Sequence, residues 1–193
     1  MSNEILYIHG FTSSINSLKA NTLKDYFARF GYYNVIIPNI PVEPFRAIHF
    51  LEEIYENNPI KVTVGSSLGG FYALYMHMKH PVQTVLINPS LNPHLDLKDA
   101  VGPIKRHNSE DFFQWTEDHV RQLEELVNKL DISKLDQTKL HFFLAKDDEL
   151  LDFSDIKKLF PYARIKFFDN AGHAFKPFAR VLPDIMNLYA SQL

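Results

Sequence analysis

Ile60-Lys61-Val62-Thr63-Val64-Gly65-Ser66-Ser67-Leu68-Gly69-Gly70-Phe71 is the stretch on which the reading of this chain turns. Ile60 to Val64 is rich in β-branched residues and reads as a strand, and Phe71 to Met78 reads as a helix. The junction carries a G-x-S-x-G pattern centred on Ser67. A serine placed between strand and helix must occupy a tight, strained turn. Glycines two residues before and two after it remove side chains that would collide with neighbouring backbone. Ser67 is therefore expected to project from the sheet, and the helix starting at Leu68 aims its free N–H groups and positive end at the same point.

Working outward, five further apolar runs predict strands: Ile5 to Ile8, Asn34 to Ile37, Thr84 to Ile87, Leu140 to Leu144 and Arg164 to Phe168. Segments with helical spacing separate them, such as Leu18, Leu23, Tyr26, Phe27 and Phe30, or Phe45, Ile48, Leu51 and Ile54. Near-continuous apolar strands alternating with amphipathic helices predict a mostly parallel six-stranded sheet covered on both faces, an α/β sandwich of three layers. The three prolines of the 36–44 stretch rule out a long strand there and place Pro44 near the first turn of the next helix. Residues 95–136 interrupt the alternation with a polar and aromatic insert in a chain otherwise read as one domain over 1–193. Its Phe112 to Leu130 portion has a helical apolar stripe, and the insert is expected to form a cap.

The 193 residues are 46% hydrophobic and 22% charged, the makeup of a globular domain long enough to bury a full core without staples. Cysteine is absent, which excludes disulfides, thiolate metal sites and a cysteine nucleophile. A formal charge of −3 is too balanced for a nucleic-acid surface or a polybasic membrane anchor. The start Met1-Ser2-Asn3-Glu4 lacks the features of a signal peptide, and no apolar run reaches the ~18 to 20 residues of a spanning helix. The expectation is a cytoplasmic protein without stable membrane insertion, acting on a small molecule; the oligomeric state is left open.

Serine is a poor nucleophile unless a base takes its proton. Of nine histidines, His173 lies just after the last predicted strand, which puts it at the carboxyl edge of the sheet with Ser67. His77 and His80, beside Lys79, are expected to form a solvated helix end. His94, His107 and His119 fall in the insert with no carboxylate-rich partner pattern, so no metal is assigned. The acid is expected after the penultimate strand, where Asp148 is preferred over Asp147 because a buried, hydrogen-bonded orienter is needed and Leu150 and Leu151 can pack beneath it. Asp152 is expected to cap the next helix. For an oxyanion, the Leu68 N–H needs a second donor. Gly10 permits a turn that presents the Phe11 N–H, with His9 bracing the loop. Phe112, Phe113, Trp115, Leu123 and Leu126 could line an acyl pocket, with ordinary core packing the plainer account of them. Lys98, Lys105 and Arg106 are expected to be solvated.

Taken together, His-Gly-Phe after the first strand, G-x-S-x-G, an acid after strand five and a histidine after strand six resemble the α/β-hydrolase superfamily in its Ser, Asp, His order. The pattern is most similar to the small bacterial YqiA-like serine esterases, in Leu6 to Ser14, Val64 to Ala73, Asp148 to Phe153 and Gly172 to Phe175. The Asp-Glu-x-Leu-Asp block also favours Asp148. The resemblance implies a minimal α/β-hydrolase fold and a Ser67–His173–Asp148 triad hydrolysing carboxylic esters or acyl-CoA thioesters, with no metal and no organic cofactor. The rival is a hydrolase-like binding or scaffold protein that keeps the fold without turnover. Lys146-Asp147 departs from the family's Thr-Gly-like turn, and the insert has little that aligns.

Overall fold

The computed structural model describes residues 4–32, 34–107 and 109–192. Six parallel strands form the main sheet in the order β2-β1-β3-β4-β7-β8. They are β1 (Glu4–Ile8), β2 (Val35–Ile36), β3 (Ile60–Ser66), β4 (Gln83–Ile87), β7 (Leu140–Ala145) and β8 (Arg164–Phe168). All six predicted strands are present. β2 shrinks to two residues because the proline-rich loop behind it cannot continue a ladder.

Alternate residues of these strands feed two cores, the signature of a sheet covered on both sides. Leu6, Ile8, Leu86, Phe142 and Leu144 are buried on one face with residues of α2 (Pro44–Asn57) and α3 (Leu68–Lys79). Ile5, Tyr7, Val62, Val64, Val85 and Ile87 are buried on the other with α1 (Leu18–Ala28) and α7 (Leu182–Ala190). Pro44 opens α2 as its spacing predicts. Ser17 caps α1 by accepting from the Ala20 amide. Short α4 (Pro93–Asp96) and α6 (Ile156–Leu159) complete the helices, with α5 described below. Among the described residues no helix is long and apolar enough to cross a membrane.

The pairing register lines up the carboxyl ends of the strands. Ile8 pairs with Gly65, Ser66 with Ile87, and Ala145 with Phe168. The residues that follow these ends, 9–11, 67, 88–90, 146–148 and 169–173, therefore emerge along one edge, where ligands of open α/β sheets bind.

The insert differs from the expectation. Phe112 does not start a helix: β6 (Phe112–Trp115) pairs antiparallel with β5 (Gly102–Lys105) in a separate hairpin, and α5 spans Glu117–Lys129. Thr116 explains the shift. Its hydroxyl accepts from the His119 amide while the His119 ring accepts from the Thr116 amide, a reciprocal cap that sets the helix start. The apolar stripe of α5, through Leu123 and Leu126, packs into the first core. Gln122 accepts from the Phe45 amide and so satisfies an orphan donor at the start of α2, which Glu43 leaves uncapped.

Candidate active site

The turn between β3 and α3 is as crowded as its glycines require. A Cβ on Gly65 would lie 2.3 Å from the Gly69 carbonyl oxygen, and one on Gly69 would lie 2.2 Å from the carbonyl oxygen of Ile8. No side chain fits at either position, so β3, α3 and β1 touch through backbone. Ser67 takes φ 54° and ψ −122°, a left-handed conformation unfavourable for a residue with a Cβ. Its amide donates to the Ile87 carbonyl and its carbonyl accepts from Ser90, so β4 and the loop after it hold the strained turn.

Ser67 Oγ lies 3.0 Å from His173 Nε2. On the other side of the ring, Nδ1 lies 3.0 and 3.1 Å from the two Asp148 oxygens. A carboxylate only accepts, so Nδ1 carries the proton and Nε2 is free to accept from the serine hydroxyl. The Asp148 side chain is 1% exposed and that of His173 19%. Asp148 also accepts from the Leu150 and Leu151 amides, each at 2.9 Å. Burial pushes its carboxyl up. The His173 hydrogen bond, those two amides and the neighbouring ring outweigh burial and hold the carboxyl below the ordinary aspartate range. Leu151 packs against the core, but Leu150 is 68% exposed. Leu150 therefore does not pack beneath the carboxylate as expected.

Asp147, the competing acid, faces elsewhere: it accepts from the Ala171 amide at 2.9 Å. Glu149 accepts from the His173 amide at 2.8 Å. These contacts clamp a loop with three left-handed residues, Asn170, Gly172 and Phe175. Such conformations persist only where the surroundings over-determine them. Asp152 does not cap α6, whose N-cap is Asp155; it accepts from the Ser154 amide and hydroxyl in a local turn.

Asn88, which the sequence reading passed over, is a third clamp. It is fully buried at the end of β4 with φ 40°. Its side-chain amide donates to the carbonyls of Gly172 at 3.0 Å and His173 at 3.1 Å, and its oxygen accepts from the Ala145 amide at 2.8 Å. Asn88 thus ties the histidine loop to the strand that leads into Asp148. Asparagine tolerates the left-handed region, and its position in the polar-to-proline step Asn88-Pro89 after a strand was the available signal.

Gly10 lies against Ser67, where an added Cβ would be 3.3 Å from the serine Cβ and 3.8 Å from its Oγ. Phe11 follows it, with its ring between Phe113 and Trp115 at centroid distances of 5.3 and 4.7 Å. The hairpin also donates from the His107 amide to the Thr12 carbonyl and from Arg106 to the Ser13 carbonyl. The β5–β6 hairpin therefore fixes the loop after β1. His9 braces the same loop: one ring nitrogen bonds the Gly10 carbonyl at 3.0 Å and the other accepts from the Ile40 amide at 3.5 Å.

The remaining aromatic residues of the insert separate. Phe113 lines a pocket beside Phe11 and Leu68, Trp115, Leu123 and Leu126 are core, and Phe112 is 63% exposed. Lys105 pairs with Glu110. His77 corrects its expectation. It is 1% exposed, bonded to the Thr84 hydroxyl and the Asp136 carbonyl, because β4 and the end of the insert pack over that helix end. His80 stacks on Tyr55. Among the described residues no cluster of ligating side chains could hold a metal ion.

A family model described as "Uncharacterised protein family (UPF0227)" matches residues 4–190. The chain belongs to the UPF0227 family. A UPF0227 protein of Shewanella sp. strain MR-4 is 28% identical over 194 residues, 94% of this chain and 96% of the relative. Among solved structures, Est1E from Butyrivibrio proteoclasticus superposes with a TM-score of 0.74 at 12% identity, over 98% of this UPF0227 chain and 88% of that one. A putative hydrolase of the α/β superfamily from Xanthomonas campestris pv. campestris covers both chains completely, with a TM-score of 0.63 at 20% identity. This UPF0227 member has the α/β-hydrolase fold.

Proposed function

We propose that this chain is a serine esterase that hydrolyses carboxylic esters of small molecules through Ser67, His173 and Asp148. One observation carries the reading: a continuous series of hydrogen bonds runs from Ser67 Oγ through both nitrogens of His173 to Asp148. The structural neighbours that are esterases or hydrolases support the same class.

In this reading Ser67 Oγ attacks the ester carbonyl carbon while His173 Nε2 takes its proton. Asp148 holds the tautomer and stabilises the positive ring. The Phe11 and Leu68 amides donate to the oxyanion: Leu68 is the first residue of α3, and Phe11 follows the glycine packed on Ser67. Each such donor is worth on the order of 10² to 10³ in rate. The tetrahedral intermediate collapses as His173 protonates the departing alkoxide, which leaves as the alcohol. Water then attacks the acyl-enzyme by the same route, releasing the acid and restoring Ser67. Thioesters of acyl-CoA would follow identical steps with a thiol leaving. Residues 95–136 act as a cap on a single domain, since their hairpin holds the Phe11 loop and walls the pocket beside it.

The test is hydrolysis of a panel of short- and long-chain esters and acyl-CoA thioesters by the purified protein. Turnover of at least one class is expected. A folded protein that turns over none of them would favour the rival, a binding protein on a hydrolase fold.

A further inference from the structure

On the second face of the sheet, α7 lies over β3 and β4. Beside it the amino ends of β4, β7 and β8 line an open groove of about 400 Å³. Its walls include Gln83, His141, Arg164, Lys166, Asp184 and Asn187. Gln83 and Arg164 begin their strands and His141 is the second residue of β7, so the groove sits at the opposite end of the sheet from Ser67.

His141 is the wall that packing does not explain. It is 5% exposed, and its Nε2 lies 2.7 Å from Gln83 Oε1. An amide oxygen only accepts, so Nε2 carries the proton and Nδ1 is a bare acceptor. Nδ1 has no partner among the described residues, yet it is not sealed off as the unpaired His94 Nδ1 is; it keeps an opening to the groove that the ring lines. Burial first, and then the Arg164 guanidinium, lower the pKa of the ring to about 4. Lys166 and His77 act in the same direction and Asp184 against it, and the ring is uncharged at neutral pH.

Arg164 pairs in register with His141, which puts the two side chains next to each other on one face. It is exposed and has no carboxylate partner among the described residues, whereas Lys166 is neutralised by Asp184 at 2.8 and 3.0 Å. The groove thus offers one uncommitted guanidinium and, beneath it, one uncommitted acceptor. An anion without a proton could meet Arg164 but would set its own lone pairs against Nδ1. An oxyanion that keeps an O–H satisfies both groups.

We propose that this groove is a binding site for inorganic hydrogen phosphate, whose O–H donates to His141 Nδ1 while its charged oxygens take the fork of Arg164. The site involves none of the groups around Ser67, so it stands or falls separately from the esterase reading.

Calorimetry on the full chain at fixed ionic strength and about pH 8, where sulfate and the methyl phosphate dianion carry no O–H, compares those two ions with inorganic phosphate. Phosphate is expected to bind at least about tenfold more tightly than either, the size of one satisfied hydrogen bond to a buried group. Arg164→Gln, at an exposed position, should weaken phosphate by about tenfold or more with an unchanged thermal melt. His141→Leu should bring phosphate and sulfate to within about threefold of each other. That substitution also breaks the Gln83 contact, so nitrogen NMR of histidine-labelled wild-type protein reads the same bond without it: phosphate should shift the His141 Nδ1 resonance and sulfate should not. Absence of phosphate binding, equal affinity for phosphate and sulfate, or an unmoved Nδ1 resonance overturns the proposal. So does phosphate binding that survives Arg164→Gln. Methyl phosphate binding as tightly as phosphate also overturns it, in favour of a phosphoryl group on a larger ligand.

Discussion

Replacing Asp148 with asparagine changes one atom in the series that reaches Ser67, and its consequence can be worked from the contacts. The asparagine oxygen can still accept from the Leu150 and Leu151 amides, so its amino group turns towards His173 Nδ1, now 3.0–3.1 Å from the carboxylate oxygens. Two donors cannot share that contact. The ring moves its proton to Nε2, the atom that must accept from Ser67, and the positive ring formed during attack loses its counter-charge. A wrong tautomer of this kind costs about 10⁴ in kcat, or about 5 kcal/mol of transition-state stabilisation. Asp147→Asn is the matched control. Its oxygen can still accept from Ala171, and kcat should stay within about threefold of wild type. Steady-state hydrolysis of 4-nitrophenyl butyrate, with a thermal melt of each variant, makes the comparison. If folded Asp148→Asn keeps more than a tenth of wild-type kcat, or if Asp147→Asn falls as far, the assignment of the orienting acid is wrong.

Asn88→Ala strips partners from the buried Ala145 amide and the half-buried Gly172 and His173 carbonyls; denaturant unfolding should show a loss of about 2 kcal/mol, and kcat should fall at least tenfold as the His173 loop loosens. Stability should also fall with acid. Burial lowers the His141 pKa from 6.5 to about 4, so the unfolded chain binds the proton first and stability drops as pH falls through that window, by about 2 kcal/mol after allowing for solvent at the ring edge. Asp148 adds a loss of the same sign as pH falls from the ordinary aspartate range through its lowered folded pKa. Urea titrations at pH 7, 5.5, 4 and 3 check this, the last reaching the Asp148 window, and a flat profile would contradict it.

What could be read from the sequence was what lies close together in the chain or follows from topology. The six strands are short contiguous apolar runs, and the parallel sheet then carries the residues after each strand to one edge. That is why Ser67, Asp148 and His173 could be named together although serine and histidine are 106 positions apart. Contacts made sideways across that edge leave no such trace. Asn88 meets the histidine loop 84 positions away, His77 meets Asp136 59 positions away, and neither partner has a distinctive local pattern. The hairpin escaped for a different reason: Phe112-Phe113-Gln114-Trp115 can be counted into the apolar period of α5, and only the cap at Thr116 separates them.

The central claim is that Ser67 is a nucleophile activated by its neighbours. The most direct test is incubation of the folded protein with a fluorophosphonate, followed by intact mass and peptide mapping. One adduct on Ser67, absent from Ser67→Ala and slowed by orders of magnitude in Asp148→Asn, is expected. Modification at another residue, or none at all, would contradict it.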